Sequence, residues 1–401
     1  MSEELPKMQR LARVAVAFTP SAPVDRYAML AGRQSQLMDV INAVMQRGQH
    51  VALYGERGVG KTSLTNILSE VFDAEALPDY RAASINCSTE DTFESIWRNV
   101  FRELGMEVDP SDGDFTPEYV RFRLTRIEPA ALIVLDELDR LDDDSALSLI
   151  ADTIKTFSDH SIESTLVLVG VADSVDELVG EHGSIERALI QVQMPRMRIG
   201  ELEGIIDKGC GFAGLQAEAA AVRRITMLSE GLPHYTHLLA LHASQKAVAD
   251  DRSEITLSDV DAAIDRAVET HTIRSDYQRA IRSTRGQTLY PQILLACALA
   301  QKDPLGGFPA GSIREPLAAI TGHQYEIPAF APHLTKFLEI ERGSVLQRDG
   351  EPRRYFYRFT NPLLQPYVIL TGVRNGVITD DILARFQATT DDEPNAPPRL
   401  F

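Results

Sequence analysis

The chain has 401 residues, 44% of them hydrophobic and 24% charged, with a formal net charge of -18. That length supports two or three domains with sizeable cores, and the acidic balance excludes a protein that coats nucleic acid with its whole surface. No apolar run approaches the ~18 residues of a membrane span, the start MSEELPKMQR lacks a secretory segment, and Cys87, Cys210 and Cys297 have no CxxC spacing, so a cytoplasmic chain with buried thiols and no membrane partner is expected.

Residues 1 to about 20 carry no strong periodicity and read as an N-terminal extension. The segment Pro20 to Arg33, ending Leu30-Ala31-Gly32-Arg33, precedes a helical stretch from Gln34 to Gln46 with apolar Leu37, Val40, Ile41 and Val44. The apolar run Val51 to Tyr54 then leads into Gly55-Glu56-Arg57-Gly58-Val59-Gly60-Lys61-Thr62-Ser63. This matches G-x-x-x-x-G-K-[ST] between a strand and a helix, the context a phosphate-binding loop requires. Glycines let the backbone turn its N–H groups around an anion, and the following helix adds its positive end. Lys61 reaches the β- and γ-phosphates as a point charge, and Thr62 is placed to ligate Mg²⁺. The cofactors expected are ATP and Mg²⁺, held by residues 55 to 63.

A helix continues to Phe72, Arg81 to Asn86 reads as a second strand, Phe93 to Leu104 is amphipathic, and Gly105 to Pro117 is a surface loop. The run Ala131-Leu132-Ile133-Val134-Leu135 has the character of a parallel strand buried on both faces, and it ends in Asp136 and Glu137. Ligands sit at such carboxyl edges, so Asp136 is expected on Mg²⁺ and Glu137 on the attacking water. The alternative is a solvated acidic turn, since Asp139, Asp142, Asp143 and Asp144 follow. After a helix from Ser145 to Phe157, a strand Thr165 to Val171 runs into Ala172-Asp173, and Arg187 precedes the strand Leu189 to Val192.

This order of phosphate loop, apolar run with Asp-Glu, strand ending Gly-Val-Ala-Asp, Arg187 and a last strand resembles the AAA+ ATPases over residues 25 to 270. The branches it is most similar to are the archaeal origin-recognition-type initiators and the STAND ATPases. The resemblance puts Asp173 at the sensor position usually held by Asn, Thr or Ser, a departure, because an ionised carboxylate accepts but does not donate. It puts Arg187 where an arginine finger acting on a neighbour's nucleotide would stand, which implies a homo-oligomer. Pairing with Glu181 or Glu186 is the other reading of Arg187.

From Met197 to Val268 the chain reads as helices without strand signals, a lid whose last helix has capping residues at Thr256-Leu257-Ser258-Asp259. Gly231-Leu232-Pro233-His234-Tyr235 resembles the GxP turn of STAND proteins, with Pro233 near the base and His234 where initiators place a sensing arginine. A capping or packing role is the other reading of His234. Beyond a basic connector, helices at Gln292 to Gln301, Ser312 to Thr321 and Ala329 to Ile340 precede two alternating runs, Ser344 to Arg348 and Arg354 to Phe359, across Asp349-Gly350-Glu351-Pro352. That pattern resembles a winged helix. Residues 271–374 hold 13 Lys+Arg against 8 Asp+Glu, and Lys336, Arg348, Arg353, Arg354 and Arg358 are the candidate contacts to double-stranded DNA. An intramolecular role for this basic region stays open.

The fold expected is α/β: an AAA+-type P-loop NTPase parallel sheet with a helical lid, followed by a winged-helix domain. The divisions are residues 1–24, 25–196 for the nucleotide core, 197–270 for the lid, 271–374 for the linker and winged helix, and 375–401 for a tail disordered at its end. The function expected is an ATP-hydrolysing switch that couples nucleotide state to DNA association. The alternative is a STAND-like signalling or defence ATPase whose winged helix binds a protein partner.

Overall fold

The computed structural model describes residues 4–73, 80–108, 114–172, 185, 187–283, 288–303, 306–351 and 354–387. They form two compact units, Ala22–Pro195 and a second made of Met1–Ser21 with Arg196–Phe401.

The first unit is built on a five-stranded parallel sheet. Its strands are β1 (His50–Tyr54), β2 (Tyr80–Asn86), β3 (Ala130–Asp136), β4 (Thr165–Gly170) and β5 (Leu189–Gln193), in the order β2-β3-β4-β1-β5. Leu132, Ile133, Val134 and Leu135 of β3 are wholly buried, as a strand covered on both faces must be. Around it pack the helices Gln34–Val44, Lys61–Asp73, Phe93–Glu103, Pro117–Leu124 and Asp144–Asp159. The Phe93–Glu103 helix shows why such segments settle. Thr92 and Ser95 form a reciprocal capping box, and Phe93, Ile96, Trp97, Val100 and Phe101 bury one face at helical spacing. Because every strand of the sheet is parallel, Tyr54, Asp136, Gly170 and Gln193 all end on one edge.

In the second unit, helices Ile199–Ala213, Ala219–Ser229, Pro233–Ala249 and Leu257–Thr270 form the lid. Thr256 and Asp259 cap the last of these as expected. In this stretch, where the sequence shows no strand signals, β6 (Gln216–Ala217) pairs in parallel with β7 (Glu254–Ile255). Two-residue pairings of this kind leave no period in a sequence window.

The winged helix carries helices Tyr290–Leu299, Arg314–Thr321 and Ile327–Phe337 and a three-stranded antiparallel sheet of β8 (Phe308–Pro309), β9 (Leu346–Asp349) and β10 (Phe356–Phe359), ordered β8-β10-β9. The helix Leu364–Arg374 fastens it to the lid: the Tyr367 hydroxyl donates to the Val268 carbonyl at 2.9 Å, and Arg374 pairs with Asp265 and Glu269. A helix Asp380–Gln387 follows, and residues 388–401 lie outside the described residues.

Residues 1–20, which carry no strong periodicity and read as an N-terminal extension, contain the helix Glu4–Ala17. Its order comes from distant partners that no local pattern reveals. Lys7, Arg10 and Arg13 donate to the carbonyls of Ala249, Arg252 and Phe212 at 2.5, 2.5 and 2.7 Å, so cations meet the negative ends of two lid helices. Val14, Ala17 and Phe18 are buried, and Phe18 lies so close to Gly209 that a Cβ there would stand 2.3 Å from the ring. Phe18→Ala is therefore expected to cost about 3 kcal/mol of stability, read as a lower melting temperature, whereas a true appendage would leave the melt unchanged.

Candidate nucleotide site

The phosphate loop begins where β1 ends. Gly55, Gly58 and Gly60 take φ of 149°, 88° and 97°. At Gly55 a Cβ would sit 2.4 Å from the Met194 carbonyl oxygen, so no other residue fits that turn. Val59 is fully buried, and the Ser63 hydroxyl accepts from the Val24 amide at 3.1 Å.

Lys61 opens the next helix and is only 8% exposed. Its ammonium donates to the carbonyls of Gly55 and Glu56 at 2.8 and 2.9 Å, spanning the loop from within. Burial pulls its pKa down to about 8, against the opposing pull of Asp139, Asp136 and Glu56. Beside it, the Thr62 hydroxyl donates to Asp136 Oδ2 at 2.7 Å, joining residues 74 positions apart. A hydroxyl and a buried carboxylate at that separation form the hard oxygen set that suits Mg²⁺.

Asp136 is 4% exposed, and its Oδ1 accepts from the Glu137 amide at 2.7 Å. Glu137 has left-handed backbone, φ 55° and ψ 36°, and its half-exposed carboxylate accepts from Arg140 at 2.6 Å. Asp139, which the sequence presents only as part of an acidic turn, accepts from the Val171 amide at 2.7 Å and so ties the ends of β3 and β4 together. Its signal was the spacing of an aspartate three residues beyond Asp136, which has no meaning until the strand order is known.

The other expected residues are distributed differently. Asp173 lies outside the described residues, as do Glu181 and Glu186. Arg187 is exposed and precedes β5, at the sheet edge opposite the phosphate loop. A polar cavity of about 270 Å³ adjoins it, lined also by Lys155, Ser158 and Asp159.

In the second unit, Pro233 is the first residue of its helix, and both ring nitrogens of His234 are engaged. Nδ1 lies 2.7 Å from the Pro20 carbonyl and must donate, so Nε2 accepts across 3.1 Å from His271 Nε2. His271 Nδ1 in turn accepts from the Ile273 amide at 3.2 Å. This chain of bonds corresponds to the packing role open for His234; a phosphate contact would require one of the bonds to break.

The basic residues of the winged helix are mostly spent internally. Arg342 donates to the Ala280 carbonyl and lies over the Tyr290 ring, Lys302 donates to two carbonyls, and Lys336 pairs with Glu339. Arg358 stands 3.7 Å from Asp349. Arg348 is exposed and stacks on Tyr355 at 4.1 Å, Arg354 is exposed, and Arg353 lies outside the described residues.

A parallel sheet in this strand order, with a phosphate loop after β1 and an acidic pair at the end of β3, is an AAA+ P-loop core. Residues 44–179 match the family model described as AAA domain. The ORC1-type DNA replication protein 8 of Halobacterium salinarum is 24% identical over 285 residues, 66% of this chain and 68% of that protein. Among solved structures, the Aeropyrum pernix ORC2 protein in ADPNP–ADP complexes is 16% identical with a TM-score of 0.51, covering 93% of this chain and 98% of that one. The Aeropyrum pernix ORC1 protein in complex with DNA gives 16% and 0.49 over 93% and 97%. Residues 44–179 thus match an AAA domain, and the chain resembles the archaeal origin-recognition-type initiators. Among the described residues, no helix is long and apolar enough to cross a membrane.

The histidine chain sets a pH dependence. Burial, helped by repulsion from His234, lowers His271 to about 4, below the ordinary 6.5. The unfolded chain therefore binds protons that the folded one refuses, and stability is complete above pH 6.5 and declines as pH falls towards 4. Melting temperatures between pH 8 and 4.5 should fall over that window, and His271→Gln should flatten part of the descent.

Proposed function

We propose that the protein binds ATP with Mg²⁺, hydrolyses it, and couples nucleotide state to association with double-stranded DNA through the winged helix. The observation that carries the nucleotide reading is the direct bond between Thr62 and Asp136 at 2.7 Å, beside a desolvated Lys61. Thr62 and Asp136 would hold the metal, which when bound screens phosphate charge and orients the chain's oxygens around it.

Lys61 exchanges its loop carbonyls for phosphate oxygens, so ATP replaces bonds the ammonium already makes. Residues 55 to 63 surround those oxygens with N–H groups, and Glu137, once released from Arg140, takes a proton from the attacking water. Pro233 and His234 are proposed near the base or phosphates only if the His234 bonds open. Arg187 is proposed to act on a neighbouring subunit's nucleotide, and a sensor role is proposed for Asp173.

For DNA, the exposed arginines of the wing, Arg348 and Arg354, support phosphate contact, with Arg353 and Arg358 beside them in sequence. The name of the halobacterial relative, a DNA replication protein, agrees with this reading. One observation favours the second reading, a STAND-like switch with a protein partner. The exposed face of the helix Ile327–Phe337 carries Ile327, Pro328, Ala329 and Pro332, with Lys336 its one cation.

Lys61→Ala is expected to weaken ATP affinity about 10- to 100-fold, the loss of charged hydrogen bonds, in a fluorescence titration. Glu137→Gln should keep that affinity while steady-state turnover drops at least about 100-fold; parental turnover would remove Glu137 from the role of base. Replacing Arg348 and Arg354 together by Ala should lower the slope of log affinity for duplex DNA against log salt by about 2. A parent with no duplex affinity at physiological salt would leave the protein-partner reading.

A further inference from the structure

Leu30 and Ala31 are buried, and the next two residues, Gly32 and Arg33, take left-handed backbone with φ of 61° and 66°. That conformation is unfavourable for arginine and marks a position held for a reason. The turn drives a guanidinium into the core, where Arg33 is 2% exposed. Its Nη2 donates to the Val59 carbonyl at 3.0 Å and to the Pro195 carbonyl at 2.6 Å.

Val59 lies between Gly58 and Gly60 in the phosphate loop, and Pro195 is the last residue of its unit. The same short stretch meets the loop a second time, where Gly55 abuts the Met194 carbonyl. A trans peptide points its carbonyl and its N–H in opposite directions. Holding the Val59 carbonyl on Arg33 therefore turns the Gly60 N–H away from the Arg33 guanidinium. Gly60, which bounds the held peptide on one side, has no Cβ to oppose its rotation there.

We infer that Arg33 is a positioning residue that presets the phosphate loop for an anion by clamping the Val59 peptide to Pro195. It acts through the loop backbone, without contact to nucleotide. The inference rests on the nucleotide reading of this site only for its consequence on affinity; the clamp itself is a property of the loop backbone.

The test compares the parent with Arg33→Met, which keeps the stem without a donor, and Arg33→Lys, which keeps a donor on a shorter reach. Two quantities are measured: hydrogen exchange of the 55–62 amides in nucleotide-free protein, and affinity for a fluorescent ATP analogue. Arg33→Met should raise both the exchange rates and the Kd about tenfold, the scale of one charged hydrogen bond, and Arg33→Lys about threefold. Parental exchange in Arg33→Met would overturn the inference. So would a lysine variant no better than methionine, because packing of the stem would then explain the loss. If Arg33→Met does not fold, Arg33→Lys decides alone, and parental exchange in it overturns the clamp. A parent that ignores the ATP analogue would defeat the nucleotide reading while the exchange measurement still judges Arg33.

Discussion

The hydrogen bond from Thr62 to Asp136 depends on a constraint that runs through the whole core: parallel strands end on a common edge. β1 hands the chain to the phosphate loop, and β3 hands it to the acidic pair, with β4 between them. Only parallel pairing on both sides of β4 delivers a threonine and an aspartate 74 residues apart to within 2.7 Å. The price of that convergence is a crowded, poorly hydrated corner, where Lys61 loses much of its solvent and compensates with two loop carbonyls and nearby carboxylates. A cation held this way is ready to trade carbonyl oxygens for phosphate oxygens with little change in its surroundings.

Besides its ion pairs, the second unit holds a set of hydrogen-bonded neutral rings. His234 and His271 pass hydrogen bonds from the Ile273 amide to the Pro20 carbonyl, and Tyr235 stacks on His271 with 5° between ring planes. Tyr235 also donates to the Leu363 carbonyl at 2.6 Å, and Tyr367 donates to Val268. The N-terminal segment, the lid and the winged helix thus share one buried polar network, which is satisfied only while the imidazoles stay uncharged. Cys210 and Cys297 are buried in this unit and Cys87 in the other, and burial raises all three thiols, so none is a nucleophile at neutral pH.

Charge counted along the chain differs from charge presented to a partner. Residues 271–374 carry an excess of basic residues, but Arg314, Lys336 and Arg374 face carboxylates and Arg342 and Lys302 face carbonyls. Among the described residues of this region, exposed arginines remain at the wing, Arg348 and Arg354, and on the connector before it, Arg279 and Arg282. A protein of net charge -18 can meet a polyanion only through such a local feature, screened from the rest by distance and salt.

The sequence by itself determined the phosphate loop, the acidic end of β3, the strands on either side and the alternating wing, because each is a local pattern whose chemistry needs adjacent residues. Gly55, Gly60, Lys61 and Thr62 are legible for that reason, as are Asp136 and Glu137 after their apolar run. Tertiary structure alone decided what joins them. The helix Glu4–Ala17 is held by carbonyls more than 190 positions away, and Arg33 points at Val59 and Pro195 only because Gly32 and Arg33 turn left-handed. His234 fell between two roles in sequence since a histidine's partners are set by tautomer and neighbours, and here those neighbours, Pro20 and His271, lie on other segments of the fold. Long-range hydrogen bonds leave no periodicity, so they become visible only when the chain is folded.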